Sequence, residues 1–220
     1  MLIMEIDLLK KYPKAKRNLD ERSASKEKEV ISTARKFGKE FFDGDRKFGY
    51  GGFSYQSKYW NEVVKDIFEF YDLKDDSSIL DVGCAKGFML YDFINNYPNL
   101  KIKGIDISSY AINNSKPEVS KFLEVGNAKN LNYKDNSFDL VISINTVHNL
   151  EIDECKIAIK EIQRVSKSKS FITVDAYRND REKENMYKWN LTAKTILSVK
   201  EWISLFKEVE YKGDYYWFIP

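Results

Sequence analysis

The sequence predicts an α/β protein built around a doubly wound, mostly parallel β-sheet. From about residue 61 to residue 220, short apolar runs alternate with segments of helical periodicity, which is the pattern of repeated strand–helix units. A glycine-containing turn follows the first apolar run, and polar side chains stand directly after the later ones. Because ligands of open α/β sheets bind beyond the carboxyl ends of the strands, these polar positions form the candidate site.

The overall composition predicts a soluble cytoplasmic protein and argues against two classes of partner. The 36 basic and 34 acidic residues leave a net charge of +2, which gives no electrostatic basis for binding nucleic acid or an anionic membrane. Two cysteines occur, Cys84 and Cys155, so a disulfide framework is not expected. No apolar run is long enough to span a bilayer, and residues 1–7 lack the basic start of a signal peptide.

Residues 1–60 are predicted to form a helical extension and a loop, ahead of a main domain over residues 61–220. Within a lysine-rich stretch of the extension, Val30 and Ala34 lie at helical spacing. Between residues 42 and 60, four glycines alternate with aromatic and charged residues, which prevents a regular helix. This loop is either a lid over a ligand or an aromatic-anchored connector, and the sequence leaves both open.

The first predicted strand, residues 79–82, runs into the glycine turn and then into a helix over residues 88–96. Gly83 and Gly87 allow the backbone to bend sharply and to approach a ligand closely. The start of the helix brings free N–H groups and a partial positive charge to the same place, which suits a polar ligand. Asp81, two residues before the first glycine, can accept hydrogen bonds from a cationic or hydroxylated ligand.

Two further strands are predicted to end beside this turn. The strand over residues 102–107 carries Asp106 at its tip, where two carboxylate oxygens can accept both hydroxyls of a ribose. The alternative is that Asp106 caps the helix that begins near Ser108. The strand over residues 119–125 is followed by a polar residue, Asn127.

The second half of the main domain is predicted to contain further strands with helices between them. A buried strand over residues 138–144 is followed by Asn145 and by His148, the one histidine of the chain. A helix over residues 153–166 and a strand over residues 170–177 come next. The chain then passes a charged insert, a helix with a capping box and a last strand, at residues 178–190, Ser198 with Glu201, and residues 214–219.

The arrangement acid-x-G-x-G-x-G in the glycine turn resembles that of class I S-adenosylmethionine-dependent methyltransferases. Asp81, Gly83 and Gly87 fit this pattern, with Ala85 in the place of the middle glycine. The resemblance begins at about residue 67 and is to the enzymes that act on small molecules. The Pro-Pro-aromatic signature of enzymes that methylate amino groups of nucleic acids does not occur after the strand at residues 138–144.

The resemblance implies a seven-stranded sheet with an antiparallel last strand, S-adenosylmethionine as cofactor and S-adenosylhomocysteine as product. It implies that Asp106 binds the ribose, and that Ile107 and Ala128 pack against the adenine. Asn127 departs from the usual aspartate and accepts a hydrogen bond more weakly than a carboxylate. The full set expected to bind the cofactor is Asp81, Gly83, Cys84, Ala85, Gly87, Asp106, Ile107, Asn127, Ala128, Ile144 and Asn145.

The expected reaction is methyl transfer to a small polar acceptor, such as a sugar or a related metabolite. His148 is the candidate general base because its ordinary pKa lies near neutrality, and Asn145 and Tyr50 are further candidate catalytic residues. Alternatively, His148 packs against or caps the helix that follows it. No cluster of residues has metal-ligand spacing, so no metal is expected. A homodimer is permitted without being required.

Two other classes of protein stay open. A catalytically inactive, methyltransferase-like partner of another enzyme would keep the fold, and Ala85 and Asn127 are the departures that favour it. A NAD-dependent oxidoreductase is less consistent with the sequence. Its G-x-G-x-x-G turn would need glycine where Ala85 and Phe88 stand.

Overall fold

The computed structural model describes residues 4–14, 18–49 and 54–220. Within these ranges the strands are β1 Ser78–Val82, β2 Lys101–Asp106, β3 Leu123–Val125, β4 Leu140–Ile144, β5 Ser170–Tyr177, β6 Leu197–Ser198 and β7 Asp214–Phe218. The helices are α1 Leu19–Ala24, α2 Lys28–Ala34, α3 Lys39–Asp43, α4 Ser57–Phe70, α5 Phe88–Asn96, α6 Ser109–Asn113, α7 Ile152–Val165, α8 Asp180–Trp189 and α9 Val199–Glu208. Short 3₁₀ turns occur at Arg46–Phe48, Ser120–Phe122 and Val147–Asn149.

The sheet has the strand order β3-β2-β1-β4-β5, and both β6 and β7 pair with β5. From β1 the chain moves outward to β3 and then returns to place β4 on the other side of β1. This reversal is a topological switch point, and ligands of doubly wound sheets bind at the carboxyl ends of the strands on either side of it. The predicted α/β, doubly wound fold is therefore confirmed. A ligand is expected to bind at the ends of β1 and β4.

Two apolar cores cover the two faces of the sheet. One lies under α4 and α5 and includes Ile67 and the strand residue Ile79. The other lies under α7 and α9 and includes Ile159, Trp202 and the next strand residue, Leu80. Because neighbouring residues of a strand point to opposite faces, β1 is buried on both sides, as a central parallel strand should be.

The last strand differs from the expectation. Strand β7 runs parallel to β5, with a register that starts at Phe171 opposite Asp214 and ends at Asp175 opposite Phe218. The ten residues of α9 separate β6 from β7, so these two strands do not form a hairpin. A helical crossover returns the chain to the same end of the sheet, so the following strand is parallel.

The N-terminal segment covers the outer edge of β7. The Ile6 N–H donates to the Tyr215 carbonyl at 2.9 Å, and the Tyr215 N–H donates to the Met4 carbonyl at 3.0 Å. The segment thereby satisfies backbone groups that an exposed edge strand would leave open to other chains. The division of the chain at residue 60 stays a prediction.

Most of the predicted elements agree closely with the observed ones. The predicted bounds of β1, β2, β5, β7, α5 and α7 lie within one residue of the structure. Strand β3 is shorter than predicted because residues 120–122 form a 3₁₀ turn before it, and the predicted charged insert contains helix α8. Ser198 and Glu201 form the predicted capping box of α9. In the described ranges, no helix combines the length and apolar character needed to cross a membrane.

Candidate active site

The glycine turn after β1 is bonded to the end of β2 and touches the turn after β4. The N–H groups of Gly83 and Cys84 both donate to the Ile105 carbonyl, at 2.8 and 2.9 Å, and the Ala85 N–H donates to Asp106 Oδ2 at 2.8 Å. Gly83 lies so close to Thr146 that an added Cβ would be 2.0 Å from its Oγ1. The structure therefore brings the ends of β1, β2 and β4 together.

Both glycines of the turn are required by the backbone itself. Gly83 has φ +89° and Gly87 has φ +74°, values that residues with a Cβ adopt only at a cost. A Cβ on Gly87 would also lie 2.7 Å from Leu123 Cδ1. Among the described residues no side chain caps the N-terminus of α5, which leaves first-turn N–H groups available to a ligand. Ala85, in the place of the usual middle glycine, takes a left-handed φ of 49°.

Asp81 is a buried carboxylate at the end of β1. It is 4% exposed, and no residue in the described ranges donates a hydrogen bond to it. Burial, and secondarily the charge of Asp106, raise the pKa of Asp81 to about 8. A buried acceptor of this kind is costly unless a donor or cation arrives. Asp81 is therefore suited to an ammonium or hydroxyl group of a ligand.

Asp106 is held in place by two backbone groups. Its Oδ1 accepts from the Ser108 N–H and its Oδ2 from the Ala85 N–H, each at 2.8 Å. Burial raises the pKa of Asp106, and these two hydrogen bonds oppose that rise. The N-cap of α6 is Ser108, which accepts from the Ala111 N–H, so the capping alternative for Asp106 is wrong. Ile107, directly after Asp106, is 57% exposed and offers an apolar surface at the end of β2.

The segment after β3 presents an oriented amide. Asn127 Oδ1 accepts from the Lys129 N–H at 3.0 Å, which fixes the side chain in an Asx turn. Asn127 borders a depression of about 300 Å³ that is also lined by Val125 and Leu131. Ala128 is half-buried against the core under α7 and α9.

The residues after β4 are tied to β5. The Asn145 N–H donates to the Thr173 hydroxyl oxygen at 2.9 Å, and that hydroxyl donates back to Asn145 Oδ1 at 2.9 Å. Asn145 has a left-handed φ of 51°, and Ile144 before it is half-buried. These bonds hold the turn that contacts Gly83, but they also engage the amide oxygen of Asn145.

His148 is buried and bonded to the backbone. Its Nδ1 accepts from the Asp175 N–H at 2.9 Å, so the neutral ring carries its proton on Nε2. Burial lowers the pKa of His148, and the Asp175 carboxylate opposes this only in part. The one basic nitrogen of the neutral ring is therefore occupied, which disfavours the general-base role; that role stays a prediction. Tyr50 lies outside the described residues.

Cys84 lies in the glycine turn with a buried thiol. Burial raises the pKa of the Cys84 thiol, and the carboxylates of Asp81 and Asp106 add to the rise. Because a thiolate is the nucleophilic form of cysteine, Cys84 is suited to packing in the turn rather than to covalent chemistry.

A family model described as a methyltransferase domain matches residues 73–218. The chain belongs to this methyltransferase family. The match takes in the glycine turn, Asp106, Asn127 and the turn after β4. A solved structure of an S-adenosylmethionine-dependent methyltransferase from Methanosarcina mazei has a TM-score of 0.52 at 23% identity, over 65% of this chain and 82% of that one. That likeness is one of fold, and the fold is that of class I methyltransferases.

Two curated relatives are N-methyltransferases. Phosphoethanolamine N-methyltransferase from Triticum aestivum is 30% identical over 112 residues, which cover 49% of this chain and 21% of that protein. Norajmaline N-methyltransferase from Rauvolfia serpentina is 28% identical over 127 residues, which cover 52% of this chain and 42% of that protein. The chain therefore spans less than half of the length of either relative.

The methyltransferase family implies S-adenosylmethionine as cofactor, and the residues present fit that molecule. The Asp81 carboxylate, which accepts no hydrogen bond from a described residue, suits its ammonium group, and the buried Asp106 carboxylate suits its ribose hydroxyls. The left-handed glycines leave room for close approach to the backbone, and exposed Ile107 can pack against the adenine. These residues thus suit both the methionine part and the adenosine part of the cofactor.

The sequence interpretation missed a set of contacts between the extension and this methyltransferase site. The Lys86 ammonium donates to Asp43 Oδ1 at 2.5 Å, and the Tyr110 hydroxyl donates to Asp43 Oδ2 at 2.8 Å. The Ser108 hydroxyl donates to the Phe37 carbonyl at 2.5 Å. The available signal was Lys86 itself, a charged residue between Ala85 and the second glycine of the turn.

The extension also contacts the segment that follows β5. Arg22 is 6% exposed and donates to the carbonyls of Trp189 and Gly49, at 3.4 and 2.9 Å. Arg35 donates to the Ala193 carbonyl at 3.0 Å. The extension is therefore attached at both halves of the carboxyl edge of the sheet, on either side of the end of β4.

Proposed function

We propose that this protein transfers a methyl group from S-adenosylmethionine to a nitrogen atom of a small polar acceptor. The observation that carries the cofactor assignment is Asp81, a buried carboxylate at the end of β1 that no described residue satisfies. The family match and the two N-methyltransferase relatives support methyl transfer and a nitrogen acceptor. The nucleotide-linked oxidoreductase alternative lacks comparable support.

The residues that would hold the cofactor lie at three strand ends. Asp81 would bind the ammonium group and Asp106 the ribose hydroxyls, while Ile107 and Ala128 would flank the adenine and Asn127 would accept from its amino group. The cofactor, when bound, supplies a methyl group already activated on a sulfonium, so catalysis rests on alignment of the acceptor with it.

A nitrogen acceptor fits the site better than a hydroxyl acceptor. A hydroxyl needs a base to remove its proton as it reacts, and the basic nitrogen of His148 is occupied by the Asp175 N–H. A neutral amine brings its own lone pair and loses its proton to solvent afterwards. The task left to the chain is to desolvate the amine and orient it, and the extension over the carboxyl edge is suited to exclude water.

Calorimetric titration with S-adenosylmethionine, S-adenosylhomocysteine and NAD⁺ tests the proposal. We expect micromolar binding of both adenosyl ligands and none of NAD⁺, followed by turnover in a screen of small amines. Binding of NAD⁺ alone would favour an oxidoreductase, and binding of the adenosyl ligands without turnover would favour a catalytically inactive partner of another enzyme.

Proton release on ligand binding gives a second test of the role of Asp81. Because the pKa of Asp81 in the free protein is raised to about 8, its carboxyl is protonated at pH 7. A ligand ammonium favours the carboxylate, so S-adenosylhomocysteine should release close to one proton at pH 7, measured as a dependence of the binding enthalpy on the buffer. Release should fade above about pH 8, and Asp81→Asn should abolish it and weaken binding by about 10- to 100-fold.

Stability measurements separate this role from a structural one. The raised pKa means that the folded state binds more protons than the unfolded state between pH 4 and 8, so stability should fall as pH rises through that window, and Asp81→Asn should remove this fall. Asp139→Asn is the matched control at the opposite edge of the sheet, where Asp139 accepts from the Ser78 N–H and from Lys167, each at 2.8 Å. It should lower stability and leave ligand affinity unchanged.

A further inference from the structure

We propose that Asp43 is a positioning residue that closes the cofactor site by fixing α3 of the extension across the two turns that hold the cofactor. This inference rests on the proposed function. Asp43, the last residue of α3, accepts from Lys86 of the glycine turn and from Tyr110 of α6. It thereby joins the turn after β1 to the helix after β2.

The contact between Asp43 and Lys86 is largely buried. The Lys86 side chain is 8% exposed and that of Asp43 is 27% exposed. Burial by itself would raise the pKa of Asp43, but the hydrogen bonds from Lys86 and Tyr110 hold it below its ordinary value. A pair in this position differs from the exposed ion pairs of a protein surface, because breaking it leaves a charge in a poorly hydrated site.

A second contact fixes the other end of α3. The Ser108 hydroxyl donates to the carbonyl of Phe37, two residues before α3 begins, and Phe37 has a left-handed φ of 48°. Phe37 also packs edge-on against Phe41 within the helix, with ring centroids 5.1 Å apart. Helix α3 is too short to be stable alone, so its position depends on these attachments.

The two attachments of α3 converge on the carboxylate proposed to bind the ribose. Asp106 accepts from the N–H groups of Ala85 and Ser108. Ser108 is the residue that holds Phe37, and Ala85 immediately precedes Lys86, which holds Asp43. The placement of α3 is thus coupled through one residue on each side to Asp106. A cofactor bound on Asp106 would leave only after these attachments open.

The test is the dissociation rate of S-adenosylhomocysteine, followed by stopped-flow fluorescence. Asp43→Asn and Lys86→Met should each speed dissociation by about 10- to 100-fold, the range expected for breaking a buried charge pair that holds a ligand. The double variant should speed dissociation by less than the product of the two single effects, because both single variants disrupt the contact between Asp43 and Lys86. Asp43→Glu should restore slow dissociation in part.

Glu40→Gln is the matched control, since it removes the same charge from an exposed position of α3. It should leave the dissociation rate unchanged. Equal rates for wild type, Asp43→Asn and Lys86→Met would overturn the inference, as would equal acceleration by Glu40→Gln.

Hydrogen exchange separates this inference from the proposed function. In the ligand-free protein, amides of residues 37–43 should exchange faster in Asp43→Asn and Lys86→Met than in wild type or Glu40→Gln. A wild type that binds no S-adenosylhomocysteine would overturn the proposed function. A wild type that binds it, with unchanged exchange and dissociation in the variants, would overturn only the role of Asp43.

Discussion

The family-matched domain, residues 73–218, is stabilised by a different kind of interaction from that of the N-terminal extension. In the domain, the site is shaped by backbone hydrogen bonds between adjacent strand ends, such as those from Gly83 and Cys84 to Ile105. In the extension, long side chains reach across the fold to distant carbonyls. Arg22 binds the Trp189 carbonyl, 167 residues away in sequence.

The two regions also differ in the size of their apolar cores. The domain contains two large cores on the faces of the sheet, whereas the extension adds a small cluster around Val30, Ala34 and Leu191. The glycine turn of the domain requires a backbone geometry that residues with a Cβ adopt only at a cost, as the positive φ of Gly83 and Gly87 shows. The attachments of the extension depend instead on side chains that bind carbonyls, such as those of Arg22 and Arg35.

The largest effect is expected in the domain, from Gly83→Ala. The new Cβ would meet Thr146 Oγ1 at 2.0 Å, and alanine would have to adopt φ +89°. We expect a loss of about 2–4 kcal/mol in the free energy of unfolding and a loss of more than about 100-fold in affinity for S-adenosylhomocysteine. Chemical denaturation and calorimetric titration measure the two effects.

Gly126→Ala is the control within the same domain. Its added Cβ would lie 3.4 Å from Ile105 Cβ, without a positive φ, so both quantities should change little. If Gly83→Ala were tolerated as well as Gly126→Ala, the glycine turn would not depend on close approach of its backbone to the turn after β4.

An intermediate effect is expected at His148, where the domain meets the segment that the extension covers. His148→Ala removes the acceptor for the buried Asp175 N–H and should lower stability by about 1–3 kcal/mol. His148→Asn keeps an acceptor near the position of Nδ1 and should lose less. With an amine acceptor from the screen, turnover of His148→Asn should keep its wild-type pH dependence between pH 6 and 8. A lost limb in that profile would restore His148 as the general base.

The sequence was sufficient to predict the strands, turn and helix around Asp81 and Asp106 because local rules determine them. A strand, a glycine turn and a helix lie within residues 78–96, and strand β2 brings Asp106 beside them without any need to know distant contacts. The antiparallel last strand was wrong for the opposite reason. It was inferred from the resemblance, whereas the helix α9 between β6 and β7 favours a parallel return.

The remainder of the site could not be predicted because it depends on pairs distant in sequence. Nothing near Lys86 indicates that Asp43 is its partner, and nothing near Ser108 indicates Phe37. The hydrogen bond between His148 and the Asp175 N–H is of the same kind, since it joins the turn after β4 to strand β5. A lone histidine after a strand is equally consistent with a base and with a packed side chain.

The smallest effect on the cofactor half is expected from Arg22→Met in the extension. Arg22 donates to the carbonyls of Arg46, Lys47 and Gly49 and to that of Trp189, and its guanidinium lies 5.5 Å from the centroid of the Trp189 ring. Methionine keeps much of the apolar volume and removes the hydrogen bonds that the guanidinium donates to these carbonyls. Amides of residues 18–34 should exchange faster with solvent, while affinity for S-adenosylhomocysteine stays within about twofold of wild type.

Affinity should persist in Arg22→Met because α3 is attached separately, through Asp43 and Phe37, to the cofactor turns. Arg181→Met, which removes an exposed arginine from α8, is the matched control and should change neither exchange nor affinity. If Arg22→Met instead weakened S-adenosylhomocysteine as strongly as Gly83→Ala, the extension and the domain would act as one unit. Replacing any attachment of the extension would then also weaken cofactor binding at the glycine turn.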